Sequence, residues 1–253
     1  MLIATTACTY LGIDPGGGRP PFAYAALDAD LRLLALGKGR LADVLAFAAG
    51  QSRALVAINA PPRPVVVSQS QSALTGMELS SAPQGQRLAE RQVRERGWPI
   101  YRTPAHWDEA PPWMRRGFAL YRHLHDLGYQ PYPLDEAARQ WLEVPAEAAF
   151  TALLGQPLLP AHHLEGRWQR QILLADAGLG IQDPMRFFEE ITRHRLRRGQ
   201  LPMHLIYTPG ELNALVAAFI AWLVAHHPDQ VVILGDPESG QMILPRGEVA
   251  PGD

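Results

Sequence analysis

The chain has 253 residues, a length that suits one large domain or two small ones and is sufficient for a full hydrophobic core. Its apolar content of 47%, charged content of 19% and net charge of −2 are ordinary for a globular protein and give no overall attraction to nucleic acid. The single cysteine, Cys8, excludes an internal disulfide framework and a zinc site built on cysteines. We find no long uncharged apolar run and no signal-peptide features in residues 1–10, so we expect a cytoplasmic protein without membrane contact.

The first sixty residues predict part of a mixed β-sheet. The predicted elements are strands at 8–14, 22–28, 31–36 and 54–58, with a helix at 41–49 before the last of them. Three antiparallel strands, a helix and a strand that returns beside the first differ from the alternating order of a doubly wound sheet. We therefore predict the strand order 3-2-1-4-5, with strand one at the centre.

A long irregular segment follows the fourth strand. Residues 60–113 are rich in Pro, Ser, Gln and Arg, and they contain one predicted helix, at 86–96. A stretch of this length with so little regular structure is unusual unless it serves a function. We interpret residues 60–113 as an insertion, or lid, over the strand ends of a single domain that spans residues 1–253.

The rest of the chain is mainly helical. Its predicted elements are helices at 113–127, 146–154, 166–177, 184–197 and 209–226, a fifth strand at 140–144, and a hairpin of 231–234 with 241–244. The predicted fold class is therefore α/β, with a mixed five-stranded sheet, helices on both faces, a long insertion after the fourth strand and a C-terminal hairpin.

Two strings place a polar side chain at the end of a buried strand. Residues 11–18 pass from an apolar run through Asp14 into Pro and Gly, and residues 56–62 pass through Asn59 into Ala-Pro-Pro. Strand ends form the crevice in which ligands bind in α/β folds. Asp14 can hold a cation there, whereas the amide of Asn59 holds one only weakly. A turn or cap role for Asp14 is the alternative.

Two further acids are candidates for the same crevice. Glu143 lies in an apolar strand, where a carboxylate is costly unless it is paired or binds a cation. An edge position, or an arginine partner such as Arg139 or Arg167, is the alternative explanation. Glu211 opens the longest predicted helix, where an acid is favoured without any catalytic role.

The sequence lacks several well-known catalytic and binding motifs, and its arginine-rich segments can be interpreted in two ways. The string 16–18 is three glycines, but no Gly-Lys-Ser/Thr follows and hairpin strands come next, which argues against a phosphate loop. Neither a Gly-x-Ser-x-Gly motif nor a His-x-x-x-His pair is present. The arginine-rich segments 87–116 and 186–198 are either solvated helix faces or a phosphate-binding rim. We assign substrate binding to four arginines, Arg63, Arg87, Arg91 and Arg167.

Five short motifs, in this order along nearly the whole chain, resemble a known family. They are Gly12-Ile13-Asp14, Val56-Ala57-Ile58-Asn59-Ala60-Pro61, Trp141-Leu142-Glu143-Val144-Pro145-Ala146, Glu211-Leu212-Asn213-Ala214-Leu215-Val216-Ala217-Ala218 and Gly235-Asp236-Pro237-Glu238-Ser239-Gly240. The family is catalogued as domain of unknown function 429 and is described as predicted nucleases with a ribonuclease H-like fold.

This resemblance implies a metal-dependent site. Its catalytic residues would be Asp14, Glu143, Asn59 and Asn213, and Asp14, Glu143 and Glu211 would hold Mg²⁺ or Mn²⁺. Metal-activated water would then attack a phosphodiester. The family pattern carries Asp where this chain has Asn59 and Asn213, so two of the expected acids are amides of the same shape without the charge.

Three functions therefore remain open at this stage. The first is a metal-dependent nuclease, the second is a catalytically degenerate relative that binds nucleic acid or a nucleotide, and the third is a partner-binding protein that keeps only the fold. Asn59 and Asn213 are the residues that discriminate between the first two. The sequence leaves the substrate and the oligomeric state undetermined. We expect Asp14, Asn59, Glu143 and Asn213 to converge on one crevice.

Overall fold

An eight-stranded mixed sheet forms the centre of the computed structural model, which describes residues 8–16, 18–65, 86–135 and 137–247. The strands are β1 (Thr9–Asp14), β2 (Phe22–Leu27), β3 (Leu33–Gly39), β4 (Ala54–Ile58), β5 (Gln130–Pro131), β6 (Arg139–Glu143), β7 (Val231–Asp236) and β8 (Gly240–Pro245). Their order is β3-β2-β1-β4-β6-β8-β7, and β5 pairs with β6 away from this path.

The predicted order of the first five strands is confirmed, with β6 as the predicted fifth strand and β1 between β2 and β4. The β1–β2 and β2–β3 pairs are antiparallel, whereas β1, β4 and β6 run parallel to one another. The predicted size of five strands is wrong. The C-terminal hairpin of β7 and β8 joins the sheet beside β6, where Glu143 is in register with Met242, and the two-residue β5 was not foreseen.

Eight helices surround this sheet in the described part of the chain. They are α1 (Leu41–Ala49), α2 (Leu88–Glu95), α3 (Pro112–Asp126), α4 (Ala146–Leu154), α5 (Leu164–Asp176), α6 (Arg186–Glu189), α7 (Arg193–Arg197) and α8 (Pro209–His226). The single helix predicted at 184–197 is wrong, because the helical conformation is interrupted between Glu189 and Arg193. The Thr192 side chain accepts a hydrogen bond from the Arg195 N–H at 3.2 Å, and this N-cap starts a separate helix.

Helices cover both faces of the sheet, as the alternation along β1 requires. Leu11 and Ile13 point to one face and pack with α1 and α3, where Val44 and Leu124 are fully buried. Tyr10 points to the other face, which packs with α2, α4, α5 and α8. The predicted arrangement of helices on both faces is confirmed.

Helix α8 lies directly on β1 and β2 and is apolar around most of its circumference, as a core helix must be. The stretch Met203–His226 is long and apolar enough to cross a membrane, but 61% of that apolar window is buried inside the fold, which accounts for its composition. Close packing of α8 depends on Gly12. A Cβ atom on Gly12 would lie 1.9 Å from the carbonyl oxygen of Ala214.

The predicted insertion at 60–113 is described only in part. Residues 66–85 lie outside the described residues. The remainder contains α2, in place of the helix predicted at 86–96, and a short 3₁₀ turn at Trp107–Glu109. The role of this segment as a lid stays a prediction.

Replacing Gly12 by Ala will separate α8 from the sheet. The added methyl group meets backbone atoms that no side-chain rotation can move, so we expect a loss of about 3 kcal/mol in the free energy of unfolding. Urea denaturation measures this loss. The control is Gly50→Ala at the end of α1, where the φ angle is −71° and the nearest atom to an added Cβ is 3.5 Å away. Equal stability of the two variants would show that α8 does not pack on Gly12 as described.

Candidate functional site: a buried carboxyl between two amides

A cavity of about 740 Å³ opens at the carboxyl end of β1. Its volume lies in the range typical of small-molecule sites. Asp14 is the last residue of β1, Asn59 follows β4, and Asn213 lies in the first turns of α8; all three line the cavity. The aromatic side chains of Tyr101 and Trp113 form part of the cavity wall. The structure thus brings together three of the four residues that were expected to converge.

Asp14 is buried, with 3% of its surface exposed, and the two amides hold its carboxyl group. Its Oδ1 accepts hydrogen bonds from Asn59 Nδ2 at 2.9 Å and from the Gly16 N–H at 3.1 Å. Its Oδ2 has a longer contact, 3.5 Å, with Nδ2 of Asn213. The amide groups therefore donate to the one acid at this point of the cavity.

The orientation of Asn59 is fixed by the backbone. Its Oδ1 accepts a hydrogen bond from the Ala146 N–H at 2.9 Å, at the start of α4. The amino end of the amide must therefore face Asp14. An N–H group repels a cation, so Asn59 in this orientation offers no ligand to an ion bound at Asp14.

Burial raises the pKa of Asp14 from 3.8 to about 6. The hydrogen bonds from Asn59, Asn213 and Gly16 act in the opposite direction, as does the charge of Arg116. Desolvation dominates, because the nearest donors are neutral. The carboxyl group therefore changes its charge close to neutral pH.

This pKa gives stability a specific pH dependence. The folded state holds the Asp14 proton up to about pH 6, while the unfolded state releases it near 3.8, so stability falls as the pH rises between these values. The loss is about 3 kcal/mol at most, from about 1.4 kcal/mol for each pKa unit. We expect Asp14→Asn to abolish this slope and to be the more stable protein above pH 6.

Urea denaturation between pH 3.5 and 7.5 compares the two proteins. Asp30→Asn is the matched control, because Asp30 is an exposed acid in the β2–β3 turn and its side chain is 73% accessible. Parallel stability profiles for wild type and Asp14→Asn would contradict the burial of an ionisable group at Asp14.

Glu143 is also buried, but its partners are different from those of Asp14. Both of its carboxylate oxygens bind Arg87, with Nη1 at 2.9 Å from Oε1 and Nη2 at 2.6 Å from Oε2. The hydroxyl group of Tyr101 donates to Oε1 at 2.7 Å. The sequence prediction of an arginine partner was right in kind, but the partner is Arg87, whereas Arg139 and Arg167 bind backbone carbonyls elsewhere.

Register explains why Glu143 is separated from Asp14. Glu143 is in register with Ile58, which in turn is in register with Ile13, and both isoleucines pack on the α1–α3 side of the sheet. Asp14 follows Ile13 by one residue and points to the α8 side, as alternation requires. Glu143 does not line the cavity.

Arg87 connects several parts of the structure around Glu143. Its Nε donates to the carbonyl oxygen of Ser239 in the β7–β8 turn at 3.1 Å, and its Nη1 lies 4.0 Å from Glu90. Burial alone lowers the pKa of Arg87, but the charge and hydrogen bonds of Glu143 outweigh it and raise the pKa. Burial raises the pKa of Glu90, whose Oε1 accepts from the Thr103 N–H at 3.0 Å.

Breaking this ion pair from one side will be costly. Arg87→Met leaves the buried charge of Glu143 without its partner, for which we expect a loss of about 3–5 kcal/mol in stability. In Arg87→Met/Glu143→Gln the stranded charge is gone, so the double variant should lose less than the sum of the single losses. Chemical denaturation measures the cycle.

The exposed pair of Arg91 and Glu95 supplies the control. These side chains are 49% and 63% accessible and their closest charged atoms are 3.6 Å apart. Arg91→Met should change stability by no more than about 0.5 kcal/mol. If Arg87→Met lost no more stability than Arg91→Met, the Arg87–Glu143 pair would not be important for the stability of the fold.

Glu211 caps α8, and each of its oxygens faces a hydrogen-bond donor or a cation of the protein. Its Oε2 accepts from the Thr208 N–H at 2.7 Å and from the Thr208 hydroxyl at 2.6 Å. Its Oε1 lies 3.4 Å from Nζ of Lys38. The structure thus favours the capping role over the metal-ligand role that the sequence left as alternatives.

The four arginines assigned to substrate binding lie outside the cavity lining. Arg63 binds the carbonyl oxygen of Glu238, Arg87 binds Glu143, Arg91 pairs with Glu95, and Arg167 donates to the carbonyl oxygens of Tyr207 and Ile206. Their assigned role is still a prediction, without support from this geometry.

Two other cations line the cavity and were not chosen from the sequence. They are Arg19, in the loop after β1, and Lys38, on β3. Lys38 is the only lysine among 23 basic residues, and this contrast was a signal that could have singled it out. Arg19 is five residues after Asp14 in the sequence, directly after the three glycines, and this short separation was a signal that it lies near Asp14.

The side chains at the cavity do not fit a site for two divalent ions. Such sites are built from several carboxylates, whereas the acids that line the cavity are Asp14 and Glu147, and Oε2 of Glu147 is paired with Arg170 at 2.6 Å. Glu143 is bound to Arg87 and Glu211 to Thr208 and Lys38. In the described ranges of the chain, no group of three or more His, Cys, Asp or Glu side chains is arranged to hold a metal ion.

A family model described as "Protein of unknown function (DUF429)" matches residues 12–239, which is most of the chain. Comparisons with curated proteins and with solved structures gave no match.

Proposed function

Since the chain belongs to the DUF429 family, whose description assigns no function, its activity has to be inferred from the cavity, and we propose that it binds a nucleotide or the end of a nucleic acid strand there without two-metal hydrolysis. The observation that carries this proposal is the set of Asp14, Asn59 and Asn213, in which two neutral amides donate to one carboxyl group. Such a set forms directional hydrogen bonds to a ligand but lacks the charge to concentrate Mg²⁺.

The remaining lining of the cavity suits the other parts of a nucleotide. Arg19 and Lys38 are cations that can pair with a phosphate, and the N-terminus of the 18-residue helix α8 contributes the positive end of its dipole. Trp113 and Tyr101, whose ring centroids are 5.2 Å apart, offer faces on which a base can stack. These features support one ligand that is both anionic and aromatic.

The ribonuclease H-like arrangement is part of the same proposal. The order β3-β2-β1-β4-β6, with the first three strands antiparallel, supports it. On this interpretation Asn59 and Asn213 occupy the positions at which the family pattern carries acids. The chain would retain the crevice of a nuclease and use it for binding.

Isothermal titration calorimetry with nucleoside 5′-monophosphates tests the proposal. We expect binding in the presence of EDTA, because no metal is required. Arg19→Gln should weaken it about tenfold, the effect of losing one charged hydrogen bond. Arg91→Gln, which removes an exposed arginine outside the lining, is the control and should bind as wild type does. If none of the four common nucleoside 5′-monophosphates bound to the protein, the proposal would be wrong.

Restoring the two acids should create the metal site that the wild type lacks. In Asn59→Asp/Asn213→Asp, one new carboxylate oxygen takes the place of Asn59 Nδ2, 2.9 Å from Oδ1 of Asp14. The like charges repel, so the variant without metal should be less stable than wild type and should recover stability on addition of Mn²⁺.

Calorimetric titration with Mn²⁺ and thermal unfolding at several Mn²⁺ concentrations measure both effects. Wild type is the reference, and we expect it to bind Mn²⁺ weakly and to leave single- and double-stranded DNA and RNA intact. Tight binding of two ions with cleavage by wild type would instead establish the hydrolase. A double variant without gain in Mn²⁺ affinity would show that these positions do not form a metal site.

A further inference from the structure

One oxygen of Asp14 has spare hydrogen-bonding capacity at the cavity. Oδ1 accepts from both Asn59 and Gly16, whereas among the described residues Oδ2 has only the 3.5 Å contact with Asn213. Buried carboxylate oxygens usually have closer partners. Oδ2 is therefore the atom of this carboxyl group that remains available to a ligand.

Two glycines leave space beside this carboxyl group. A Cβ atom on Gly210 would lie 3.2 Å from Oδ2 and 3.4 Å from Cβ of Ala23, and one on Gly16 would lie 2.7 Å from Oδ1 and 2.8 Å from Oδ2. Both glycines line the cavity. At Gly16 the added Cβ would clash with both carboxylate oxygens, so the close approach of the loop to Asp14 requires glycine there. At Gly210, of the two carboxylate oxygens, the added Cβ would be close to Oδ2 alone.

The backbone does not require glycine at position 210. Gly210 is the second residue of α8, and its φ angle is not among the positive ones. Glycine in a helix is less favourable than alanine by up to about 1 kcal/mol. Glycine leaves this side of Oδ2 uncovered, whereas the methyl group of an alanine would lie 3.2 Å from Oδ2 and cover part of it.

The burial and polarity of Oδ2 indicate which part of a ligand reaches it. Asp14 is only 3% exposed, so a small group such as a hydroxyl can reach its carboxyl group, whereas the flat edge of a nucleobase needs a wider opening. An ionised Asp14 repels phosphate, which Arg19 and Lys38 attract at other points of the lining. A hydroxyl group both donates and accepts, so it can donate to Oδ2 of Asp14 and accept from the Asn213 amide.

We infer that Asp14 and Asn213 bind a sugar hydroxyl of the ligand through the gap at Gly210, and that the cavity therefore selects ribonucleotides over deoxyribonucleotides. This inference rests on the proposed function, because it assumes that a nucleotide occupies the cavity. It assigns to Gly210 a role in specificity: the residue is small so that the hydroxyl can reach the carboxylate.

Titration with matched ligands tests the inference. The probes are the 5′-monophosphates of adenosine, 2′-deoxyadenosine and 2′,3′-dideoxyadenosine, with the guanosine series alongside. For wild type we expect the ribonucleotide to bind at least about tenfold more tightly than the dideoxy compound, because a hydrogen bond to a charged group is lost. Comparison with the 2′-deoxy compound shows which hydroxyl is bound.

Gly210→Ala should abolish this preference without harming the fold. Alanine favours the helix, so we expect the melting temperature to stay the same or to rise, while ribonucleotide affinity falls to that of the dideoxy compound. Gly50→Ala is the control, because it also replaces a glycine at a helix end but lies outside the cavity lining. It should keep the wild-type preference.

Asn213→Leu provides a second variant should Gly210→Ala unfold. It keeps the size of the side chain, removes the amide, and should reduce the preference for ribose in the same way. Equal binding of the ribo- and dideoxy compounds by wild type, with selection by base alone, overturns the inference and leaves the proposed function standing. Absence of binding by every nucleotide overturns both.

Discussion

Parallel pairing of β1, β4 and β6 fixes which side chains reach the cavity, because residues in register on neighbouring parallel strands point to the same face of a sheet. Ile13, Ile58 and Glu143 share one register line and one face. The next position along each strand therefore faces α8, and it is occupied by Asp14, Asn59 and Val144. Asp14 and Asn59 line the cavity, whereas Val144 is buried in the core on the same face of the sheet. A shift of one residue in β6 would exchange Val144 for Glu143 there.

The Arg87–Glu143 pair follows from the same constraint. A carboxylate directed away from the cavity and into the fold needs a buried cation. Arg87 supplies it from the start of α2, at the end of the long segment after β4, and also holds the β7–β8 turn through Ser239. Tyr101 donates to the same carboxylate and also lines the cavity. The ion pair thereby connects the segment after β4, the C-terminal hairpin and one wall of the site.

Local patterns were sufficient for most of the fold. Helices α1, α4 and α8 begin and end where the sequence predicts them, since each has helical apolar spacing together with a capping residue, a proline or a glycine at its ends. The convergence of Asp14, Asn59 and Asn213 was also predictable. The partner of Glu143 was not, because Arg87 is 56 residues away and only the tertiary packing brings the two together. The hairpin was predicted, but its pairing with β6 was not. That pairing rests on one register pair, which no local sequence pattern indicates.

The two asparagines determine the chemistry that remains at the strand ends. Three carboxylates at these positions would repel one another in a buried environment, and a bound cation would be needed to offset that repulsion. With amides, each neighbour of Asp14 becomes a hydrogen-bond donor, and Asn59 is held in that orientation by the backbone of Ala146. The carboxyl group is then neutral or singly charged near physiological pH and is satisfied on one of its two oxygens. A site of this kind needs no metal to offset repulsion between carboxylates, and among the described residues its second oxygen, Oδ2, has only the 3.5 Å contact with Asn213.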